Sequence, residues 1–156
     1  MVTPGALETE ISPLPDLPAP RLLTYPRETV IAEKFEVIVN LGVANSRMKD
    51  FYDMASLSCD FAFDGAVLTA AIRRTFQNRR TEIPRGKPVA FTPEFFADEA
   101  KRRQWAAFTN RNRAFVKNES LEAVCRKSES LLLPILQALA ADEPFTKQWP
   151  VGGSWL

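Results

Sequence analysis

Histidine is absent from this chain of 156 residues, which removes Ser-His-Asp and Cys-His nucleophiles, histidine acid–base pairs and most zinc sites. Any catalysis would rest on carboxylates, lysine or an oxygen-ligated metal. Glycine is scarce, at six residues against twelve prolines, and alternating runs of valine and isoleucine are missing, so extended sheet is disfavoured. No apolar run approaches the roughly 18 residues that a membrane span requires. The amino terminus lacks a basic region followed by an apolar stretch, so neither a span nor a secretory signal is expected, and the sequence predicts a cytoplasmic protein with no membrane partner. Only two cysteines occur, Cys59 and Cys125; they lack metal-ligand spacing and read as small, reduced core residues, so no metal ligands are assigned.

The sequence does contain 46% hydrophobic residues, enough for one domain with a real core. Isolated aliphatics at helical spacing, punctuated by proline, predict a mainly α fold: an extended Pro-rich arm over 1–20, a helical domain over 21–143 and an irregular tail over 144–156. The arm carries Pro4, Pro13, Pro15, Pro18 and Pro20, which exclude helix and central strand; residues 21–24 could add a short strand or an extended stretch. Helices are expected over 26–41, with Pro26 in the first turn and Gly42 as the left-handed residue after it, over 48–58, and over 65–78 behind an Asp64 cap. Thr92-Pro93-Glu94 starts a short helix, followed by one over 98–111 with Trp105 and Phe108 inward. The last helix, 121–140, is capped by Ser120 and should be kinked by Pro134. The tail, with Trp149 and Trp155, would either dock over an apolar groove or hang free.

Formal net charge is only +1, but residues 73–113 hold eleven basic and four acidic side chains. Such a block is either a solvated face or the footprint of a polyanion.

Stepping about 100° per residue along the first helix puts Val30, Ile31, Val37, Ile38 and Leu41 on one arc, with Phe35 at its edge and Lys34 near its centre. An ammonium there must snorkel out, pair with a carboxylate, or line a cavity that binds an anion. The nearest carboxylates are Asp50 and Asp53, three residues apart and so facing nearly the same way from the next helix. Packed structurally, these would be an ordinary helix end with a snorkelling lysine. Brought together, a lysine and two carboxylates can grip a polyphosphate, hold Mg²⁺ or deprotonate an attacking hydroxyl.

The run from Tyr25 to Glu36, Tyr-Pro-Arg-Glu-Thr-Val-Ile-Ala-Glu-Lys-Phe-Glu, followed by Ala44-Asn45-Ser46-Arg47-Met48-Lys49-Asp50-Phe51-Tyr52-Asp53, resembles the third and fourth motifs of the AbiEii/AbiGii-type nucleotidyltransferase toxins. The resemblance extends more weakly through residues 18–140. It implies a helical bundle like the carboxy-terminal half of a polymerase-β-like nucleotidyltransferase, in a toxin of a toxin–antitoxin or phage-defence system. A cognate antitoxin encoded nearby, nucleoside triphosphate and Mg²⁺, and an acceptor such as tRNA are implied with it. By position, Lys34 is expected to contact the triphosphate and Asp50 to assist catalysis. Arg47 and Lys49 would help bind nucleotide, with Asp53 supporting.

The family's first two motifs, a Gly-Ser turn on a sheet and an Asp-x-Asp pair that binds Mg²⁺, have no counterpart here; Gly153-Ser154 lacks the strand–helix context, and no two aspartates are separated by one residue. The expectation is therefore a carboxy-terminal half, inactive alone, that is either truncated, mis-started or complemented by a separately encoded amino-terminal half, or else a decayed remnant. The alternative is a noncatalytic helical module that binds nucleic acid or protein through the basic 73–113 segment.

Overall fold

The computed structural model describes residues 26–156, so the expected arm over 1–20 and the short strand over 21–24 lie outside the described residues. The described chain is mainly α. Its helices are α1 (Arg27–Leu41), α2 (Met48–Asp60), α3 (Gly65–Asn78), the single turn α4 (Pro93–Phe96), α5 (Glu99–Arg111) and α6 (Leu121–Ala140). The one sheet among the described residues pairs β1 (Phe63–Asp64) antiparallel with β2 (Gln148–Trp149), Phe63 opposite Trp149.

Local chemistry sets most of these boundaries. Asp64 accepts from the N–H groups of Ala66 and Val67, Asp98 from that of Lys101 and Ser120 from that of Ala123, each satisfying donors that the first turn leaves open. Two expected starts work differently. Pro26 stands before the first turn of α1 and not in it. Thr92 precedes α4, but its hydroxyl donates back to the Val89 carbonyl and leaves the helix end without a side-chain cap. Gly42 has the positive φ expected of it, 54°, with ψ at −136°, outside the left-handed helical well. Space is not the reason, because a Cβ there would meet nothing within 4 Å; the backbone conformation alone calls for glycine. α6 continues through Pro134.

The most extensive helix interface joins α1 to α3; next come α2 with α6 and α1 with α2. Phe35, fully buried, holds this centre together, with Phe76 at 5.6 Å and Phe91 stacked at 6.2 Å between ring centroids. The buried face of α1 consists of Thr29, Ile31, Ala32, Phe35, Glu36 and Ile38. That corrects the expected arc by more than one residue step, roughly 135°. Leu41 is exposed, Val30 and Val37 are half-buried, and Lys34 lies on the edge of the buried face, not at its centre. Cys125 is fully buried, which pushes its thiol up to about 12, helped by the Glu129 charge; Cys59 is half-buried, and neither is in a disulfide.

Of the two fates open to the tail, docking is what the structure shows. Gly65 donates its N–H to the Lys147 carbonyl at 2.8 Å, and a Cβ on Gly65 would sit 2.5 Å from that oxygen. Trp149 donates Nε1–H to the Ser58 carbonyl at 2.8 Å, and Trp155 packs edge-on against both Trp149 and Phe145. Trp149→Ala is expected to cost about 3–5 kcal/mol by loss of a buried indole and its hydrogen bond. Urea unfolding checks this; a midpoint equal to wild type would show that the tail contributes nothing to the fold.

Candidate functional site

The two-helix corner of α1 and α2 is where charge collects. α1 carries Lys34 at its edge, and the chain turns through a single 3₁₀ turn, Gly42–Ala44, before α2 begins. No side-chain cap closes α2; instead the Asn45 Oδ1 accepts the Arg47 N–H at 2.7 Å, a local turn that aims the helix start back at α1. Residues three and four apart on α2 then bring Asp50 and Asp53 to one face.

Lys34 Nζ donates to Asp50 Oδ1 at 3.1 Å and lies 3.2 Å from Asp53 Oδ2. Lys49 Nζ donates to Asp53 Oδ2 at 2.6 Å. Arg47 Nε lies 3.1 Å from Asp50 Oδ2 as an ion pair, yet its direction is wrong for a hydrogen bond, so that buried oxygen has no donor among the described residues. The structure thus gathers all five residues singled out in the sequence. The two centres differ in exposure: the Asp50 side chain is 10% exposed and Lys34 23%, whereas Arg47 and Lys49 are 60% and 74% exposed.

Burial of the Lys34 ammonium works to lower its pKa, but the hydrogen bond to Asp50 and the charges of Asp53 and Asp50 prevail and hold it above its ordinary value of 10.5. A group whose folded pKa is raised stabilises the fold fully below its unfolded pKa and loses that contribution as pH climbs through the folded value. The stability gap between wild type and Lys34→Met is therefore expected to be flat near neutrality and to narrow above about pH 10.5. Denaturant titrations across that range check it; a gap unchanged at high pH would mean that Lys34 is not stabilised by its charge.

Three cations face two carboxylates here, leaving one positive charge in excess. Each carboxylate already faces two cations, and among the described residues no group of three or more His, Cys, Asp or Glu side chains is placed to hold a metal. This donor set does not fit a resident Mg²⁺; it fits an anion. A cavity of about 420 Å³ opens elsewhere, between α3, the following loop and the end of α6, where Arg73 and Arg85 are offset by Glu82 and Asp142. The Lys34 cluster is the better candidate because its cations outnumber its carboxylates and two of them stand half-free at the rim.

Three of the buried polar side chains that sequence reasoning missed bear on the site and its supports. Glu36, 3% exposed, accepts from Arg79 Nη1 at 2.8 Å and from Thr81 Oγ1 at 2.6 Å. Asn45 and Lys101 are buried against each other beneath the start of α2. For Glu36 a signal existed: it shares a helical stripe with Thr29, Ala32 and Phe35, once the arc is centred there. Asn45 and Lys101 are 56 positions apart and gave none.

The fold and the site define a helical protein with a cluster of three cations and two carboxylates at one corner. The family model described as nucleotidyl transferase AbiEii toxin, type IV TA system, matches residues 1–127, and the chain belongs to that family. No curated protein and no solved structure matches it. The matched span contains α1 to the start of α6 and the whole Lys34 cluster; residues 128–156 lie outside it. Membership in a type IV toxin–antitoxin family implies a cognate antitoxin as partner and a nucleoside triphosphate as donor. Among the described residues no helix is long and apolar enough to cross a membrane.

Proposed function

We propose that the Lys34 cluster handles the triphosphate of a nucleoside triphosphate in a nucleotidyl transfer to a hydroxyl-bearing acceptor such as tRNA. The observation that carries this is the half-buried Lys34 ammonium held between Asp50 and Asp53 at 3.1 and 3.2 Å, with Arg47 and Lys49 exposed beside it. Transfer of this kind depends on positioning and charge neutralisation more than on covalent catalysis, which suits a chain without histidine.

The roles follow from reach and exposure. Arg47 and Lys49, on long exposed stems, turn from their aspartates to the phosphates, while Lys34, less exposed, marks the inner end of the anion's seat. Withdrawal of Arg47 uncovers Asp50 Oδ2, the oxygen without a donor, which takes the proton of the acceptor hydroxyl as its oxygen attacks the α-phosphorus and pyrophosphate leaves. Asp53 keeps Lys34 charged and oriented. Metal-binding carboxylates are assigned no place in this cluster, and no Asp-x-Asp pair occurs in the sequence, so transfer by these residues alone is expected to be undetectable until a polypeptide carrying such a pair is supplied.

The basic 73–113 segment is divided by the fold. Arg79 is paired to buried Glu36, Lys87 to Glu129, and Lys101 is buried, so these three of its eleven basic side chains serve the interior or its edge. Damage from an Arg79 substitution would therefore report on folding before binding. The test of the proposal is calorimetric titration of the four nucleoside triphosphates, with Mg²⁺ present, into wild type and Lys34→Met. Binding that the variant lacks supports it, and a folded wild-type chain that binds none overturns it.

A further inference from the structure

Lys101 is the one buried lysine among the described residues, at 8% exposure. Its ammonium donates to the backbone carbonyl of Asn45 at 2.6 Å and stands 5.2 Å from the centre of the Phe95 ring. Among the described residues no carboxylate pairs with it. One carbonyl and one ring face are meagre compensation for taking a cation out of water, so as a packing element alone a methionine would serve better. What the ammonium does hold is a turn. Asn45, 1% exposed, gives its carbonyl to Lys101, donates its own N–H to the Gly42 carbonyl at 3.1 Å, and accepts the Arg47 N–H on Oδ1 at 2.7 Å. Among the described residues its Nδ2 has no partner, so Oδ1 is the side-chain atom that anchors it there. The Phe95 ring beside Lys101 stacks at 5.2 Å on Phe51, the neighbour of Asp50.

We infer that Lys101 is a positioning residue: from α5 it pins the Asn45–Arg47 turn, and through it sets where Arg47 and Asp50 stand at the start of α2. The inference rests on the proposed triphosphate site for its functional consequence, but the hold on the turn is measurable by itself. A neutral side chain of similar length at 101 keeps the packing of the stem and releases the Asn45 carbonyl. Arg47 N–H then loses the fixed acceptor that orders the first turn, and the guanidinium that must leave Asp50 for a phosphate starts from a scattered set of positions.

The test uses Lys101→Met in the full chain, with three readouts: amide hydrogen exchange residue by residue, the unfolding midpoint, and titration with ATP in the presence of Mg²⁺. The expected result is about tenfold faster exchange at Arg47 with α3 and α6 unchanged, a midpoint lowered by no more than the loss of one buried hydrogen bond, and about tenfold weaker ATP binding. Unchanged Arg47 exchange overturns the inference, as does a lowered midpoint with faster exchange spread evenly over α2 and α5, the mark of a merely structural lysine. If Lys101→Met does not fold, Lys101→Gln decides the same comparison. A wild-type chain that binds no ATP would sink the triphosphate reading, and Arg47 exchange would still decide whether Lys101 holds the turn.

Discussion

Lys34→Met is expected to weaken nucleoside triphosphate binding by roughly 10- to 100-fold, since a charge-assisted contact to phosphate is worth about 1.5–3 kcal/mol. Two effects add. The variant removes the inner cation of the cluster, and it leaves Asp50 and Asp53 with one cation each, so the net charge facing the triphosphate falls from positive to neutral. The same substitution strips a partner from a carboxylate that is 10% exposed, at a cost to stability of about 1–3 kcal/mol, so binding has to be measured where the variant is folded. Asp50→Asn separates the two effects. It keeps Lys34 and lessens the negative charge, so it is expected to bind triphosphate at least as tightly as wild type while losing the proton acceptor. Equal losses in both variants would show that the cluster is a structural ion network and not an anion site.

Arg79→Met is expected to lower stability by about 3 kcal/mol, because it leaves the Glu36 carboxylate buried with only the Thr81 hydroxyl. Arg79 also stands 4.0 Å from Glu33, an exposed contact that adds little. Thermal unfolding would show the loss as a fall in Tm of roughly 10 °C for a chain of this size. Removing both partners, as Glu36→Leu with Arg79→Met, is expected to recover much of it, since an apolar pair of similar volume carries no stranded charge. A single variant as stable as wild type would mean that Glu36 does not depend on the Arg79 pair for its burial. The pair also decides the rotation of α1: with Glu36 turned toward the end of α3, Lys34, two residues earlier, is carried to the rim where α2 can reach it.

Much of the fold was legible because its signals are local. Asp64 and Ser120 cap the helices they were expected to cap, and the bounds of α3 and α6 follow from those caps and an apolar period. The residues of the site were legible for another reason: a lysine among aliphatics is conspicuous, and two aspartates three apart must share a face. The buried arc of α1 was misjudged because counting aliphatics omits Glu36, which is buried by virtue of a partner 43 positions away. The stripe it shares with Thr29, Ala32 and Phe35 reads as the buried one only once that partner is known.

By itself, then, the sequence determined helices, caps, the absence of histidine chemistry and a family resemblance, all properties of residues and their near neighbours along the chain. Tertiary structure decided what depends on neighbours distant in sequence: Lys34 between Asp50 and Asp53, Arg79 and Lys101 withdrawn from the basic block, and a tail held by Trp149 on Ser58. A charge or an indole in a sequence has many satisfactory surroundings, and only packing selects one, because the free energy of burying it depends on the partner it meets.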